Sequence, residues 1–289
     1  MSSYSGRAAI PHPNQVSVSL STIYDAYGEP PWVHRLIENA QSYADLICER
    51  PGSASAWLWR PNGDELIAIL EGRYEVEIEE IGTFDAEEDT YLCIPKGHAA
   101  QFRVAGRAPG IRISVRQPAA QPLPRDRRSP AERRSAHSVI PTVLPGREAP
   151  GGYAPNQPVL TLAQLKEARG PAPWSHRIIS NEHFMTNLIY QLPSPPPAGH
   201  WHADCDEWWM IREGELEWIF DGLGAHRARR GDFVCAPQGY LHRIHTIGDV
   251  PSIRMPTVLP NVPHPGPEVY GYARRGLPDY PRAAQGNGR

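Results

Sequence analysis

Apolar and polar residues alternate with a period of two in several short segments of the chain. The segments "YEVEIEEI" at 74–81 and "LEWIFDG" at 216–222 show this alternation most clearly. Because residues i and i+2 of a β-strand lie on the same face, the pattern predicts strands with one buried face. Glycine and proline separate such segments at intervals of about ten residues, which favours antiparallel strands in a sandwich or a small barrel.

Helical periodicity is limited to short pieces, of which "TLAQLKEARG" at 161–170 is an example. Thr161 can cap the start of a helix there, and Gly170 can end it. The 32 prolines and 25 glycines also favour short strands with tight turns over long helices. We therefore predict an all-β fold with short helices.

The second half of the sequence repeats the first at a constant spacing of 142 residues, which we call the repeat offset. "PPWVHRLIEN" at 30–39 matches "APWSHRIISN" at 172–181, and "DELIAILEG" at 64–72 matches "DEWWMIREG" at 206–214. The match keeps one register without a gap from about residue 13 to residue 112. A chance similarity would not hold its register over that length, so the chain consists of two copies of one module.

The repeat predicts the domain organisation. The N-terminal module spans 1–115, and the C-terminal module spans 141–289, including a C-terminal tail. Between them, residues 116–140 are rich in proline and arginine and contain little that could be buried. This composition is typical of an exposed linker.

Composition narrows the class of protein. Of the 289 residues, 40% are hydrophobic and 21% are charged, which is typical of a globular protein with a core. A formal net charge of −3 gives no reason to expect nucleic acid or an anionic membrane as partner. The N-terminus has no apolar run, no segment is long enough to span a bilayer, and the four cysteines form no CxxC pair. We expect a cytoplasmic protein with reduced thiols.

A candidate metal site lies in "GHWHADCDEWW" at 199–209. His200 and His202 share one face of a strand, and Glu207 follows after a short connection. His242 comes after a Pro-x-Gly turn further along the chain. Three imidazoles and one carboxylate suit iron, manganese, nickel, copper or zinc better than calcium or magnesium. The alternative is a set of polar strand residues without a metal.

The spacing of these residues resembles a known family pattern. H-x-H-x4-E-x6-G, ending at Gly214, and G-x5-P-x-G-x2-H, beginning at Gly231, are similar to the paired motifs of the cupin superfamily. Ser194 and Thr246 depart from the pattern, but neither is a ligand position. Since the resemblance covers both halves, it implies two tandem cupin barrels (double-stranded β-helix, or jelly-roll, modules), with the metal inside a barrel.

The repeat predicts that only the C-terminal module holds a metal. At the repeat offset, the three histidine positions fall on Leu58, Arg60 and Ala100, while Glu65 is the counterpart of the glutamate. Arg60 is a permanent cation, and the other two cannot bind a metal. His98 is a weaker alternative, shifted by two positions. We expect one metal per chain and an N-terminal module that closes one end of the other barrel or packs sheet to sheet against it.

Neighbouring residues have structural interpretations beside the functional ones. By alternation from the glutamate, Trp209 faces the barrel interior, where it packs in the core or forms a wall of a substrate pocket. His245 lies three residues after His242 and therefore faces the opposite side of a regular strand. His34 and His176 occupy equivalent positions of the repeat, which favours a structural role for both.

The open coordination positions and the resemblance indicate a function. An octahedral ion with four protein ligands keeps two open positions, and ferrous iron with neighbouring open positions is suited to activating dioxygen. The motifs are similar to those of cupin oxygenases such as quercetin dioxygenase and 3-hydroxyanthranilate dioxygenase. This implies a mononuclear non-haem Fe(II) dioxygenase. The tryptophans favour a small hydroxylated aromatic compound as substrate. An enolic compound is the alternative, and O2 would be the co-substrate.

Two other functions stay open at this point. One is a metal-dependent decarboxylase, resembling manganese-dependent oxalate decarboxylase, or a cupin isomerase. The other is a non-enzymatic cupin that binds a small molecule. Fe(II) is the expected metal, with Mn(II), Ni(II), Cu(II) and Zn(II) as alternatives. A homo-oligomeric state is left open.

Overall fold

The computed structural model describes residues 9–129 and 155–269. The elements of the first half, in chain order, are β1 (Ser17–Ser19), α1 (Leu20–Tyr27), β2 (Trp32–Glu38), β3 (Tyr43–Glu49), β4 (Leu58–Trp59), β5 (Glu65–Glu71), β6 (Arg73–Ile78), β7 (Gly82–Glu87), β8 (Thr90–Ile94), β9 (Ala99–Ala105), β10 (Gly110–Arg116), β11 (Leu123–Pro124) and a 3-10 turn (Arg125–Arg127). Those of the second half are β12 (Val159–Thr161), α2 (Leu162–Arg169), β13 (Trp174–Ser180), β14 (Met185–Gln191), β15 (Glu207–Glu213), β16 (Glu215–Phe220), β17 (Gly224–Arg229), β18 (Asp232–Ala236), β19 (His242–Ile247) and β20 (Ser252–Val258).

The prediction of an all-β chain built from two copies of one barrel is confirmed. The N-terminal barrel has a six-stranded sheet, β12-β8-β5-β10-β3-β2, and a five-stranded sheet, β11-β4-β9-β6-β7. The C-terminal barrel has a six-stranded sheet, β1-β18-β15-β20-β14-β13, and a three-stranded sheet, β17-β16-β19. The two six-stranded sheets have the same strand order once each strand is replaced by its counterpart at the repeat offset.

Two short helices occupy equivalent places in the repeat. Helix α2 begins after Thr161, whose hydroxyl accepts the backbone N–H of Gln164 at 3.1 Å, and it ends before Gly170 at φ +75°. The predicted helix at 161–170 is therefore confirmed. Helix α1, capped by Ser19, is its counterpart in the first half and was not predicted. In the part of the chain that the structure describes, no helix is long and apolar enough to cross a bilayer.

The modules exchange their first strands. Strand β1 pairs with β18 of the C-terminal barrel, with Ser17 opposite Val234. Strand β12 pairs with β8 of the N-terminal barrel, with Val159 opposite Leu92. The two pairings are equivalent, because β1 corresponds to β12 and β18 corresponds to β8 at the repeat offset. Each barrel thus receives an edge strand from the predicted domain of the other, which interlocks the modules.

The largest core lies between the two six-stranded sheets. Leu46, Leu66 and Ile113 from the N-terminal sheet pack in one cluster with Trp208 and Met255 from the C-terminal sheet. Each fully buried aliphatic side chain contributes on the order of 1.5–3 kcal/mol. The two remaining large clusters fill the barrel interiors. Of the two predicted placements of the N-terminal module, the structure shows sheet-to-sheet packing.

The first part of the predicted linker is packed against the N-terminal barrel. Strand β11 pairs with β4, and Arg128 is only 6% exposed. Its guanidinium donates to a carboxylate oxygen of Glu79 at 2.8 Å and to the carbonyl of Gly97 at 3.1 Å. The exposure expected from composition does not hold here, because Arg128 is itself buried and pairs with acceptors of the N-terminal barrel. The rest of the predicted linker, from residue 130, lies outside the described residues.

A buried ion pair sits inside the N-terminal barrel. Arg60 and Glu65 are both 2% exposed and form a salt bridge, and Glu65 also accepts a hydrogen bond from the hydroxyl of Ser114. Burial by itself would raise the pKa of Glu65, but Arg60 and Ser114 outweigh burial, and the pKa lies below its usual value. The carboxylate is therefore ionised and depends on its partner.

Breaking this pair should destabilise the protein strongly. We expect Glu65→Gln to lower the free energy of unfolding by about 3–5 kcal/mol, because it leaves the Arg60 cation buried without a countercharge. Urea denaturation of the full chain measures the change. The exposed pair Arg103–Glu75, 53% and 54% exposed at the side chains, supplies the control. Glu75→Gln should cost less than about 1 kcal/mol. Equal losses for the two variants would contradict the expectation.

A second prediction concerns acid stability. His176 is 1% exposed, and burial, helped by nearby Arg169, lowers its pKa from 6.5 to about 4. The unfolded chain binds this proton more readily, so stability is full above about pH 6.5 and is lost as the pH falls towards 4. Between pH 6.5 and 5 the loss from this one group should be on the order of 2 kcal/mol.

Thermal unfolding of His176→Leu at several pH values tests this prediction. The variant should lose less stability than the wild type between pH 6.5 and 5. His12→Leu, which alters an exposed histidine, should follow the wild-type curve. A His176→Leu curve parallel to the wild-type curve would show that His176 does not carry the acid sensitivity.

Candidate metal centre

Four predicted ligands meet at one end of the C-terminal barrel. His200 and His242 face each other as an antiparallel bridge, with backbone N–H···O distances of 3.1 and 2.9 Å. Glu207 is the first residue of β15, and His202 lies in the connection that leads to it. The nitrogen and oxygen atoms that these four residues offer all lie within 4.8 Å of one another. We call this set the C-terminal cluster.

The turns around the cluster bring its members together. Gly199 has φ +92°, and a Cβ there would lie 2.7 Å from the carbonyl oxygen of His242, so the close approach of the two strands requires glycine. Asp206, next to Glu207, accepts the backbone N–H of Gln238 at 2.8 Å and the side-chain amide of Asn39 at 3.0 Å. Because Asn39 belongs to the predicted N-terminal module, that module helps to hold the ligand loop.

The hydrogen bonds of two imidazoles determine which nitrogen faces the cluster. The Nδ1 atom of His202 lies 3.0 Å from the carbonyl of Pro263, and that of His242 lies 3.0 Å from the carbonyl of Tyr240. A carbonyl only accepts, so each Nδ1 carries the proton and each Nε2 presents a lone pair. The Nε2 atoms lie 3.0 and 3.3 Å from Oε2 of Glu207, which is also an acceptor.

Converging acceptors of this kind fit a divalent metal. The Nε2 atom of His200 lies 3.4 Å from Oε2 of Glu207 and 3.2 Å from Nε2 of His242. Lone pairs this close repel one another unless a cation lies between them. The donor set of nitrogen and carboxylate oxygen suits a transition metal.

Burial and charge act in opposite directions at the glutamate. Burial by itself would raise the pKa of Glu207, but a positive charge among His200, His202 and His242, on a protonated imidazole or on a bound cation, holds the pKa well below its usual value. Burial lowers the pKa of His242 in spite of the carboxylate beside it. The cluster therefore combines one ionised carboxylate with an imidazole held in its neutral form, as metal binding requires.

Trp209 lies on the interior side of the barrel, as alternation predicts. It is 1% exposed and packs against Trp218 and His242, with ring centroids 5.6 and 5.2 Å away. Trp208 points the other way, into the core between the sheets. In this structure Trp209 is a core residue behind a cluster imidazole, and its role as a pocket wall stays a prediction.

His245 and Cys205, two residues close to the ligands in the sequence, have structural roles. His245 lies outside the cluster, with Nε2 3.7 Å from a carboxylate oxygen of Glu217. Cys205 is 2% exposed and packs with Val262 in a small apolar cluster. Burial raises the pKa of the Cys205 thiol to about 12, so it is unreactive at neutral pH. All four cysteines are free and buried.

The N-terminal barrel repeats the backbone of the site without its ligands. Leu58 lies opposite Ala100, as His200 lies opposite His242 in the other barrel. Arg60 stands at the second histidine position and pairs with Glu65. Within residues 9–129 and 155–269, the C-terminal cluster is the only group of three or more histidine, cysteine, aspartate or glutamate side chains close enough to hold a metal.

Sequence reasoning missed two groups near the cluster. Arg254 is 8% exposed; burial lowers its pKa to about 10, with Glu207 acting in the opposite direction, and it donates to Gln191 at 2.7 Å. His264 follows β20, and its ring centroid lies 4.9 Å from that of His200 and 4.8 Å from that of His202. Extending the repeat beyond residue 112 would have drawn attention to His264.

A cavity of about 450 Å³ lies between the modules and not at the cluster. Its lining includes Glu88, Arg212 and Arg230. These charges pair across the module boundary: Arg230 binds Glu88, and Nε of Arg212 donates to Asp89 at 2.6 Å. These ion pairs in the cavity wall join the two modules.

Comparisons with known proteins agree with the fold. Residues 193–258 match the family model for the Cupin domain. A Cupin 2 conserved barrel domain protein from Leptotrichia buccalis is similar in structure, with a TM-score of 0.59 and 11% identity over 84% of this chain and 96% of that chain. A mutant of Bacillus subtilis oxalate decarboxylase has a TM-score of 0.53 and 16% identity over 91% of this chain and 84% of that chain.

No curated protein matches the sequence. At these identities the structural similarity shows the fold alone. The segment at 193–258 contains all four members of the C-terminal cluster. Residues 193–258 thus match the Cupin domain model, and the chain has the fold of two tandem cupin barrels.

Proposed function

We propose that this chain is a mononuclear metalloenzyme whose metal is held by His200, His202, Glu207 and His242. The observation that carries the proposal is geometric: three imidazole nitrogens and one carboxylate oxygen lie within 4.8 Å of one another, a donor set that suits a divalent transition metal. Backbone carbonyls fix the tautomers of two of these imidazoles, so the donor atoms are aligned by the fold.

The cluster supports direct binding of a small anionic substrate. A divalent ion bound by one carboxylate and three neutral imidazoles keeps a net positive charge, which favours an enolate, phenolate or carboxylate oxygen. The side chain of His200 is 28% exposed, whereas those of the other three are 7% exposed or less. The cluster is therefore accessible to solvent on the side of His200.

Our first proposal for the reaction is an Fe(II)-dependent dioxygenase acting on a small hydroxylated aromatic or enolic compound. Ferrous iron, held by the four residues of the cluster, would supply the chemistry that activates O2 beside a bound substrate oxygen. Trp208 and Trp209 are each 1% exposed and offer no open aromatic surface to a substrate. The cluster therefore favours a substrate for its acidic oxygen and not for a flat ring. This favours the enolic compound over the hydroxylated aromatic one.

The second candidate is a manganese-dependent decarboxylase of a small carboxylic acid. Similarity in fold to oxalate decarboxylase favours it. Both reactions would use the same metal site and the same open side, so the cluster geometry supports them equally.

Removal of single ligands tests the metal assignment. We expect about one transition-metal ion per wild-type chain. His202→Ala, His242→Ala and Glu207→Ala should each lower metal affinity by more than the roughly 10- to 100-fold that loss of an outer-shell partner causes. Elemental analysis after dialysis measures the bound metal.

Two matched variants serve as controls. His245→Ala alters a neighbouring histidine outside the cluster, and Glu65→Ala alters the counterpart of Glu207 in the other barrel. Because loss of the Glu65 carboxylate destabilises the protein, metal content of this variant is measured on its folded fraction after gel filtration. Metal content should stay unchanged in both variants. Loss of the metal from His245→Ala, or a second equivalent that survives His202→Ala, would overturn the assignment.

The two reactions differ in their need for oxygen. Ferrous-loaded protein should consume O2 with a panel of phenolic and enolic compounds, and His242→Ala should abolish the uptake. Oxygen-electrode traces on anaerobically purified protein measure this, with CO2 release under argon recorded in parallel. Absence of O2 uptake together with CO2 release from small carboxylic acids would favour the decarboxylase. Metal and ligand binding without any turnover would indicate a non-enzymatic binding protein.

A further inference from the structure

The segment after β20 crosses the end of the barrel that contains the C-terminal cluster. The carbonyl of Pro263 accepts the Nδ1–H of His202 at 3.0 Å, and that of Pro265 accepts the backbone N–H of Trp201 at 3.3 Å. Val262 is 8% exposed and packs beside Cys205 in the ligand loop. The segment at 259–265, which we call the strap, is thus attached to the strand and loop that supply the ligands.

The strap has a counterpart in the N-terminal barrel. Leu123 of β11 lies opposite Trp59 of β4, and Pro265 meets Trp201 in the same way. The two pairs are related by the repeat offset, so the repeat extends past residue 112 to the strap. In this register the counterpart of His264 is Pro122.

His264 therefore shares a property with the three histidines of the cluster. Those three replace Leu58, Arg60 and Ala100 of the barrel that lacks the cluster. His264 replaces Pro122 at one more position near the same site. Neither the three histidines of the cluster nor His264 has a histidine at the equivalent position of the N-terminal barrel. A residue that acts at the proposed metal would show this pattern, because only one of the two barrels has the cluster.

The position of the ring also indicates a role at the open side of the cluster. The centroid distances from His264 to His200 and His202, 4.9 and 4.8 Å, resemble the 5.1 Å between those two rings. His264 nevertheless lies outside the compact set of four donor residues. Its side chain is exposed, and its neighbour His200 is the most exposed member of the cluster. His264 thus lies on the solvent-exposed side of the C-terminal cluster, beside the four donor residues and not among them.

We propose that His264 contacts the small anionic molecule bound on the open side of the metal, donating a hydrogen bond to one of its atoms. This inference rests on the proposed metal centre and identifies a residue that binds substrate there. The strap fixes the imidazole beside His200 and His202, and a ring N–H is a suitable donor to an enolate or carboxylate oxygen.

Binding of a probe anion, measured without turnover, tests the proposal. Protein loaded with Co(II) is titrated with azide, and the visible absorption of the cobalt reports binding. His264→Ala removes the ring, and His264→Phe keeps a ring without nitrogen. Both variants should retain about one cobalt per chain and bind azide about tenfold more weakly, since a hydrogen bond to a charged group is lost. His12→Ala, at an exposed histidine in the N-terminal barrel's half of the chain, should match the wild type.

The possible outcomes separate this inference from the proposed function. Full cobalt content with unchanged azide affinity in His264→Ala would overturn the inference alone. Loss of cobalt from His264→Ala would also overturn it, because His264 would then be a metal ligand. Wild-type protein that folds but takes up no cobalt would overturn the proposed function, and the inference with it.

Discussion

The packing of the two six-stranded sheets against each other is the constraint on which the rest of the structure depends. It buries the largest core, and each sheet is completed by the first strand of the other half. Neither barrel can form its full sheet alone. This explains why the N-terminal barrel remains necessary although it has no metal cluster in its described residues. Asn39 extends this support to the loop that contains Glu207.

The two barrels show two ways of stabilising a buried carboxylate at one position of the same fold. Glu65 in the N-terminal barrel is neutralised by the Arg60 guanidinium, which stands where the other barrel has a histidine. Glu207 in the C-terminal barrel faces imidazole lone pairs, an arrangement that a bound cation would stabilise. A guanidinium is always charged and fills its own space, so the first arrangement is closed. The second keeps a coordination centre that can accept an external ligand.

The strap adds a polar group to the one accessible side of the cluster. Three members of the cluster are nearly buried, and the core behind them is filled by Trp209 and Trp218. A substrate would therefore meet the site from the side of His200 and His264. The backbone of the strap orients one ligand, His202, while the side chain of His264 faces solvent. One short segment thus contacts a residue of the cluster through its backbone and places a second imidazole beside it.

The sequence by itself determined the strand-rich fold, the two copies and the composition of the cluster. Period-two alternation, an ungapped repeat and the spacing of His200, His202 and Glu207 are properties of short or aligned stretches, so they can be read along the chain. Only the tertiary structure decided that β1 joins the opposite barrel, that Arg128 is buried, that the tryptophans lie in cores, and that His264 stands beside the cluster. These features depend on which surfaces pack together. Apart from the extended repeat, which points to the position of His264, the sequence contains no signal of these contacts, because they join residues far apart along the chain.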